Sequence, residues 1–209
     1  ASLTDNTKYM NRALPVKKSF DIIERNLIIG GQNSAFYFID GFTKDETMLK
    51  LMDSFLNISA DDMPEDATSF STSCIPYVEV DILGDFDSIF KNLLSGVTCL
   101  FIDGYEAAIA IDCRTYPSRS IEEPDKDKSL RGSRDGFVET IVFNTALMRR
   151  RIRDPHLIME MYEAGTSTRT DVALCYMSDR VDRELLTTIQ NKLEESKSQD
   201  LKMSQQSLA

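Results

Sequence analysis

Two nearly identical pentapeptides, Phe38-Ile39-Asp40-Gly41-Phe42 and Phe101-Ile102-Asp103-Gly104-Tyr105, each end an apolar run on an Asp-Gly step. That step constrains the fold. Glycine occupies positive φ without the clash of a Cβ, so the chain reverses there while the β-branched and aromatic residues around it stay extended. The second pentapeptide lies inside "VTCLFIDGYEAAIAID", which reads as a hairpin with Asp103-Gly104 as a tight type I′ turn. The first closes "FDIIERNLIIGGQNSAFYFIDGF", where one β-rich run ends near Ile29 and another spans 35–40 around a Gly-Gly-Gln-Asn turn. There the Asp-Gly leads into a helix, and five residues are too few to establish a duplication.

Helical spacing separates these runs. Thr43 and Glu46 read as a capping box before "DETMLKLMDSFLN", whose Met48, Leu49, Met52, Phe55 and Leu56 are expected to face inward. Residues 60–73, "ADDMPEDATSFSTS", are acidic and rich in Ser, Thr and Pro, and read as a linker. A strand-like "YVEVDIL" follows, then a helix over about 85–94 capped by Asp85 and stopped near Gly96. After a long polar stretch over 114–135, a helix is expected from about 136 to 153. Asp135 is its expected cap, Phe137 its first core residue and Pro155 its stop. "LIMEMYEAGTSTRTDVALCYMSD" reads as two strands around a Gly-Thr-Ser-Thr turn. A last helix over 182–196 turns Leu185, Leu186, Ile189 and Leu193 inward. The first 18 residues read as an irregular or loosely helical lead-in. The expected fold is mixed α/β (α+β), with two small subdomains, each a mixed or antiparallel sheet with flanking helices. They are residues 1–73, with the linker at about 60–73, and residues 74–209, carrying a distinctive tract at 119–155.

The formal net charge of −10 argues against sequence-independent nucleic-acid binding and against a polybasic membrane-surface patch. Cys74, Cys99, Cys113 and Cys175 are widely spaced, no CxxC occurs and His156 is the sole histidine, so no metal ligand set and no cofactor motif is evident. The three later cysteines lie in apolar runs and read as buried free thiols. No nucleophile-elbow pattern accompanies His156, and paired carboxylates identify nothing in so acidic a chain, so no catalytic residues are assigned. No apolar run reaches the roughly 18 residues of a membrane span. The chain reads as an excised piece of something longer.

Residues 119–153 reverse the charge balance, with nine Lys/Arg against six Asp/Glu. Within them "SLRGSRDGFVET" resembles an anion loop, but it fails as a P-loop: only three residues separate Gly132 from Gly136, where the motif needs four, and Phe137 stands where the lysine belongs. On a helix Phe137, Ile141, Met148 and Ile152 share one face, widened by Val138 and Val142, and the arginines at 149, 150, 151 and 153 fan around the rest. Those four suit the helix macrodipole and salt bridges to an acidic body. Arg131 and Arg134, beside Gly132 and Ser133 ahead of the helix, are placed to meet either a carboxylate or phosphate ligand or an internal carboxylate such as Glu122 or Glu123.

The block "EEPDKDKSLRGSRDGFVETIVFNTALMRRRIRDPHL" resembles the signature region of the A subunits of GerA-family spore germinant receptors. Its matched positions are Glu123, Pro124, Arg131, Gly132, Arg134, Gly136, Phe137, Glu139, Asn144, Leu147, Arg149, Arg150, Arg151, Ile152, Asp154 and Pro155. "IIGGQNSAFYFIDGF", "NLLSGVTCLFIDG" and "TSTRTDVALCYMSDRVD" resemble flanking strands of the same family, so the likeness covers most of residues 20–183. The resemblance implies the N-terminal region of a nutrient-sensing subunit. It would work with B and C subunits, and possibly other A subunits, at the inner membrane of a bacterial endospore. Its membrane half would lie beyond this chain, with the cytoplasmic side slightly favoured. Two roles compete. In the first, residues 119–155 serve subunit assembly and signal transmission. In the second, a small nutrient binds between the subdomains near Arg131 and Arg134. Candidate ligand or partner contacts are Arg131, Gly132, Ser133, Arg134, Glu139, Asn144, Arg149, Arg150 and Arg151.

Overall fold

A computed structural model describes residues 2–75, 79–116 and 136–198. The first hairpin joins β1 (Ile22–Ile29) to β2 (Gln32–Ile39), with Ile29 opposite Gln32. The turn is therefore only Gly30-Gly31, at φ +51° and +76°, and Gln32 and Asn33 already belong to β2. Two consecutive positive φ values define the type I′ geometry that suits strand twist. The second Asp-Gly makes no such turn. β4 (Thr98–Ile102) and β5 (Ala108–Ile111) pair antiparallel across the longer loop 103–107, with Gly104 at φ +87°. Asp103 is engaged elsewhere: its N–H donates to the Asn33 carbonyl at 2.9 Å, and its carboxylate accepts the Leu3 N–H at 2.9 Å.

The sheet runs β1-β2-β4-β5-β3, all antiparallel, with β3 at Val80–Leu83. β2 pairs with β4, so strands from both sides of residue 73 share one sheet and the expected subdomain boundary falls between hydrogen-bonded neighbours. Residues expected as a linker include helix α3 (Ala67–Cys74), capped by the Asp66 carboxylate accepting from Ser69 N–H at 2.8 Å. Its Phe70 is fully buried, and the Tyr105 hydroxyl donates to the Pro64 carbonyl at 2.5 Å. A segment with Phe70 as anchor packs; it does not bridge.

Both faces of the sheet are covered. On one side Ala35, Tyr37, Ile39, Cys99 and Phe101 meet Met10 and Leu14 of the lead-in and Ile89, Leu93 and Leu94 of α4 (Phe86–Leu94). The lead-in is thus a true helix, α1 (Leu3–Ala13). On the other side Phe36, Leu100, Ile102, Ile109 and Ile111 meet Leu51 and Phe55 of α2 (Asp45–Leu56) and Phe70 of α3. Strand alternation sends successive residues to opposite layers. Burial leaves Cys99 and Cys113 as thiols, with pKa values pushed up to about 12 and about 11.

The capping box expected before α2 does not form. Thr43 is held extended in a bridge to Arg114, Lys44 N–H donates to the Cys113 carbonyl, and Lys44 occupies the N-cap position without a side-chain cap. On α2, Leu51 and Phe55 are buried whereas Leu49 and Leu56 are 69% and 62% exposed, so the inward face is turned from the expected one. Asp85 caps α4 as expected, accepting from Ser88 N–H, and Gly96 follows at φ +97°.

A second unit packs beside this sandwich. β6 (Leu157–Ala164) and β7 (Thr170–Met177) form a hairpin, and α6 (Arg183–Ser196), capped by Asp182, lies on it through Leu186. Leu185 is instead 58% exposed. The Glu160 carboxylate ties the unit together, accepting from Tyr162, Tyr176 and Gln190 at 2.8, 2.9 and 2.7 Å, with Lys18 Nζ at 3.5 Å. Burial opposes its charge, yet those donors hold its pKa below the usual carboxylate value. Among the described residues no helix is long and apolar enough to cross a membrane.

A Cβ at residue 30 would come within 2.6 Å of the Met63 sulfur, whereas one at residue 104 would meet nothing within 4 Å. Both substitutions to alanine incur left-handed backbone strain of about 1–2 kcal/mol. Gly30→Ala is expected to destabilise more than Gly104→Ala in urea unfolding, and Met63→Ala, which keeps the Met63 Cβ at 2.9 Å, is expected to remove only part of the excess.

Candidate functional site: helix α5, its buried arginine and the adjoining cleft

The tract that carries the unusual charge balance is described only from residue 136 onward. Arg131, Gly132, Ser133 and Arg134, and the expected cap Asp135, lie outside the described residues. Glu139, Asn144, Arg149, Arg150 and Arg151 lie within them.

Helix α5 spans Ile141–Arg151, beginning five residues later than expected. Asn144 explains the delay. Its side-chain oxygen accepts the Val138 N–H, and its amide nitrogen donates to the Val138 carbonyl, both at 2.7 Å. This two-point clamp occupies the backbone groups that an earlier helical start would use. Phe137 is not a core residue; it is 68% exposed. Asn144 serves the backbone, and Glu139 is exposed.

The inward face of α5 differs from the apolar stripe read in the sequence. Thr145, Ala146 and Arg149 are buried, and Ile152, just past the helix, is 38% exposed. The face is turned by about a quarter of the helix circumference. The cause is Arg149, the largest fully buried side chain of the described residues, at 0% exposure. Its Nε donates to Asp21 Oδ2 at 2.7 Å and its Nη2 to Asp21 Oδ1 at 3.2 Å, a bidentate fork on a carboxylate that is itself 1% exposed. Nη1 donates to the Asp154 carbonyl at 3.0 Å, and Nη2 also reaches the Leu157 carbonyl at 2.9 Å and Ser19 Oγ at 3.4 Å.

The neighbouring groups extend this network. Ser19 Oγ donates to Asp21 Oδ1 at 2.5 Å and accepts Met159 N–H at 2.9 Å, while Phe20 N–H donates to the Met159 carbonyl at 2.9 Å. Asp40 N–H donates to the Asp21 carbonyl at 2.8 Å. The entry to β1, the end of β2, the C-terminal turn of α5 and the start of β6 thus meet at one guanidinium. Arg149 was expected on a solvated helix surface; burial and complete pairing remove it from partner or ligand contact.

The other arginines diverge. Arg150 is exposed and lies over the Tyr116 ring, 4.4 Å from its centroid, a cation–π contact. Tyr116 packs edge-on to Phe42 at 5.4 Å and donates to the Ser95 carbonyl at 3.0 Å. Arg114 forms a fork with Asp112 and, through those hydrogen bonds, holds the Asp112 carboxyl below its usual range. Arg151 is exposed. Helix α5 therefore holds both stems of the tract, Tyr116 through Arg150 and Val138 through Asn144.

Beside the N-terminus of α5 opens a cleft of about 510 Å³ that the sequence did not reveal. It is lined by the end of β2 (Phe38, Asp40), the first turn of α2 (Lys44, Asp45, Met48) and the first turn of α5 (Val142, Phe143). Gly41 lets α5 approach: at φ +79°, a Cβ there would meet Ala146 Cβ at 3.1 Å and Val142 Cγ1 at 3.3 Å. The residues lining this cleft come from segments far apart in the chain, so no local spacing signals it. Among the described residues no cluster of His, Cys, Asp or Glu is arranged to hold a metal ion.

Arg149→Met leaves the Asp21 carboxyl buried and without its cation. Such a change is expected to cost about 3–5 kcal/mol in denaturant unfolding. Adding Asp21→Leu removes the stranded carboxyl and is expected to restore most of that loss; an uncorrected double variant would contradict the pairing.

Comparison with known proteins places this architecture. Residues 8–209 match the model of the "Bacillus/Clostridium GerA spore germination protein" family. The chain is 32% identical to Stage V sporulation protein AF of Bacillus subtilis (strain 168) over 189 residues, covering 90% of this chain and 38% of that protein. It is 30% identical to Spore germination protein KA of the same strain over 183 residues, covering 86% and 34%. The chain thus spans little more than a third of the length of these curated relatives. The crystal structure of the N-terminal domain of the A subunit of the Bacillus megaterium spore germinant receptor GerK3 superposes with a TM-score of 0.70 at 21% identity, over 95% of this chain and 72% of that one, a likeness of fold. With the family model covering all but the first seven residues, the chain belongs to the GerA family of spore germination proteins.

Proposed function

We propose that this chain is the N-terminal domain of a nutrient germinant receptor A subunit and takes part in subunit assembly and in passing the germination signal. The observation that carries this reading is the division of labour on α5. Arg149 turns inward to fix the helix between the five-stranded sheet and the β6–β7 unit, and Asn144 clamps the chain that leads into it at Val138. Glu139, Arg150 and Phe143 stay on the exposed side. A rigidly held helix with an exposed polar and aromatic face suits contact with neighbouring subunits, because its geometry is set before the partner arrives. The partners in this reading are the B and C subunits and other A subunits. The site of action is the inner membrane of the endospore, reached through a membrane-spanning region outside this chain. The role is non-enzymatic, with no cofactor.

A second reading is a nutrient-binding module. The sequence suggested Arg131 and Arg134 as the contacts for a ligand between the subdomains; the cleft between α2 and α5 favours binding at a different place. Titration of the chain with candidate germinants, with and without Arg134→Ala, tests the original placement.

For the assembly reading, the full-length receptor is expressed in spores with Arg150→Glu and Glu139→Lys on the A subunit. The expected outcome is normal A-subunit abundance, loss of co-purifying B and C subunits, and germination slowed at least about tenfold, the scale of disrupted interface charges. Unchanged co-purification and germination would sink this reading.

A further inference from the structure

The outer surface of α1 and α4 is complementary to itself. We propose that it is an isologous contact, through which two copies of this chain pack with their α1 helices antiparallel. The proposal rests on the assembly reading above for its setting and deepens it by naming one contact between A subunits; it uses none of the α5 surface.

An aromatic patch lies on this surface. Tyr9 of α1 is 49% exposed. Its ring centroid is 4.2 Å from that of Phe86 and 6.1 Å from that of Phe90, and the two phenylalanines, one turn apart on α4, are 6.1 Å from each other. Both phenylalanines are only partly buried. Three adjoining rings left uncovered mark an interaction surface, as singly scattered apolar residues do not.

Charge on either side of the rings is ordered. On α1, Asp5, Tyr9 and Arg12 follow i, i+4, i+7 spacing and share one stripe, with the acid about 10 Å from the base along the axis. On α4, Asp87 again precedes Lys91, one turn apart. All four charges are exposed, and none forms an ion pair with a described residue.

That order selects the occupant. A parallel copy would set acid against acid and base against base. An antiparallel copy brings Asp5 to Arg12 of the other chain, and a two-fold axis makes the contact twice, so two ion pairs bracket the central rings. The same operation suits Asp87 and Lys91. Any other partner would have to reproduce the acid–aromatic–base order that this chain already carries. The net charge of −10 opposes association at long range. At about 0.15 M salt the screening length is about 8 Å, which removes most of that repulsion and leaves the contact pairs.

The test is sedimentation equilibrium of the chain at about 0.15 M salt, from about 10 μM to about 1 mM. A reversible monomer–dimer equilibrium is expected. Asp5→Arg and Arg12→Asp are each expected to weaken it at least about tenfold, because like charges then face each other. An equimolar mixture of these two variants is expected to dimerise again, since each supplies the charge the other lacks. Tyr9→Ala is expected to weaken the dimer about tenfold. The three positions are on the surface, and unfolding midpoints near that of the parent show that the fold is kept. A monomer at every concentration overturns the proposal. A dimer unchanged by all three substitutions, or a larger closed oligomer, overturns this face. A mixture that stays monomeric overturns the antiparallel pairing. The α5 contacts of the assembly reading are tested separately, by co-purification of B and C subunits.

Discussion

The structure depends on one buried ion pair. Arg149 and Asp21 are withdrawn almost completely from water; Arg149 also donates to the Asp154 and Leu157 carbonyls, and Asp21 also accepts from the Ser19 hydroxyl. A buried pair of this kind contributes little net stability against an apolar equivalent, but removing one partner is costly. What it supplies is position. The guanidinium can satisfy its donors only when the entry to β1, the end of α5 and the start of β6 are in register, so the orientation of the β6–β7 unit on the sandwich is set by hydrogen-bond geometry as well as by apolar contact.

From that anchor the remaining features of α5 follow. With Arg149 inward, Arg150 falls beside Tyr116 and Asn144 faces the incoming chain at Val138. The helix then begins late, its first turn free of a side-chain cap and next to the equally uncapped first turn of α2. The cleft is a consequence of these two starts meeting at the end of β2, where Gly41 gives α5 room to approach. One helix thus links the inter-unit joint to the concave surface.

Part of this was legible in the residues. The Gly30-Gly31 hairpin, the Asp85 cap and the β6–β7 pair all rest on interactions close along the chain, and their chemistry is visible in a short window. Mixed α/β architecture and membership of the GerA family were legible too, the second from the spacing of the block around Asn144 and Arg149. Helix faces were not. Leu49 and Leu56 obey helical periodicity yet face solvent, because α2 is placed by Leu51 and Phe55 against Phe36 and Phe70. Thr43 had the composition of a cap, but pairing with Arg114 took its backbone first. Residues 60–73 looked like a linker because Phe70 stood alone among polar neighbours, and one buried aromatic is enough to seat a short helix.

By itself, then, the sequence determined the Gly30-Gly31 turn, the strands, the Asp85 cap and the family. Each of these is decided by backbone conformational limits and by partners close along the chain. Only the tertiary structure decided which face of each helix is buried, that strands on both sides of residue 73 form one sheet, and that Arg149 is an internal anchor. Asp21 and Arg149 lie 128 positions apart. A charge read in isolation belongs on the surface, and burial becomes favourable only when a distant carboxylate and several carbonyls are brought to meet it.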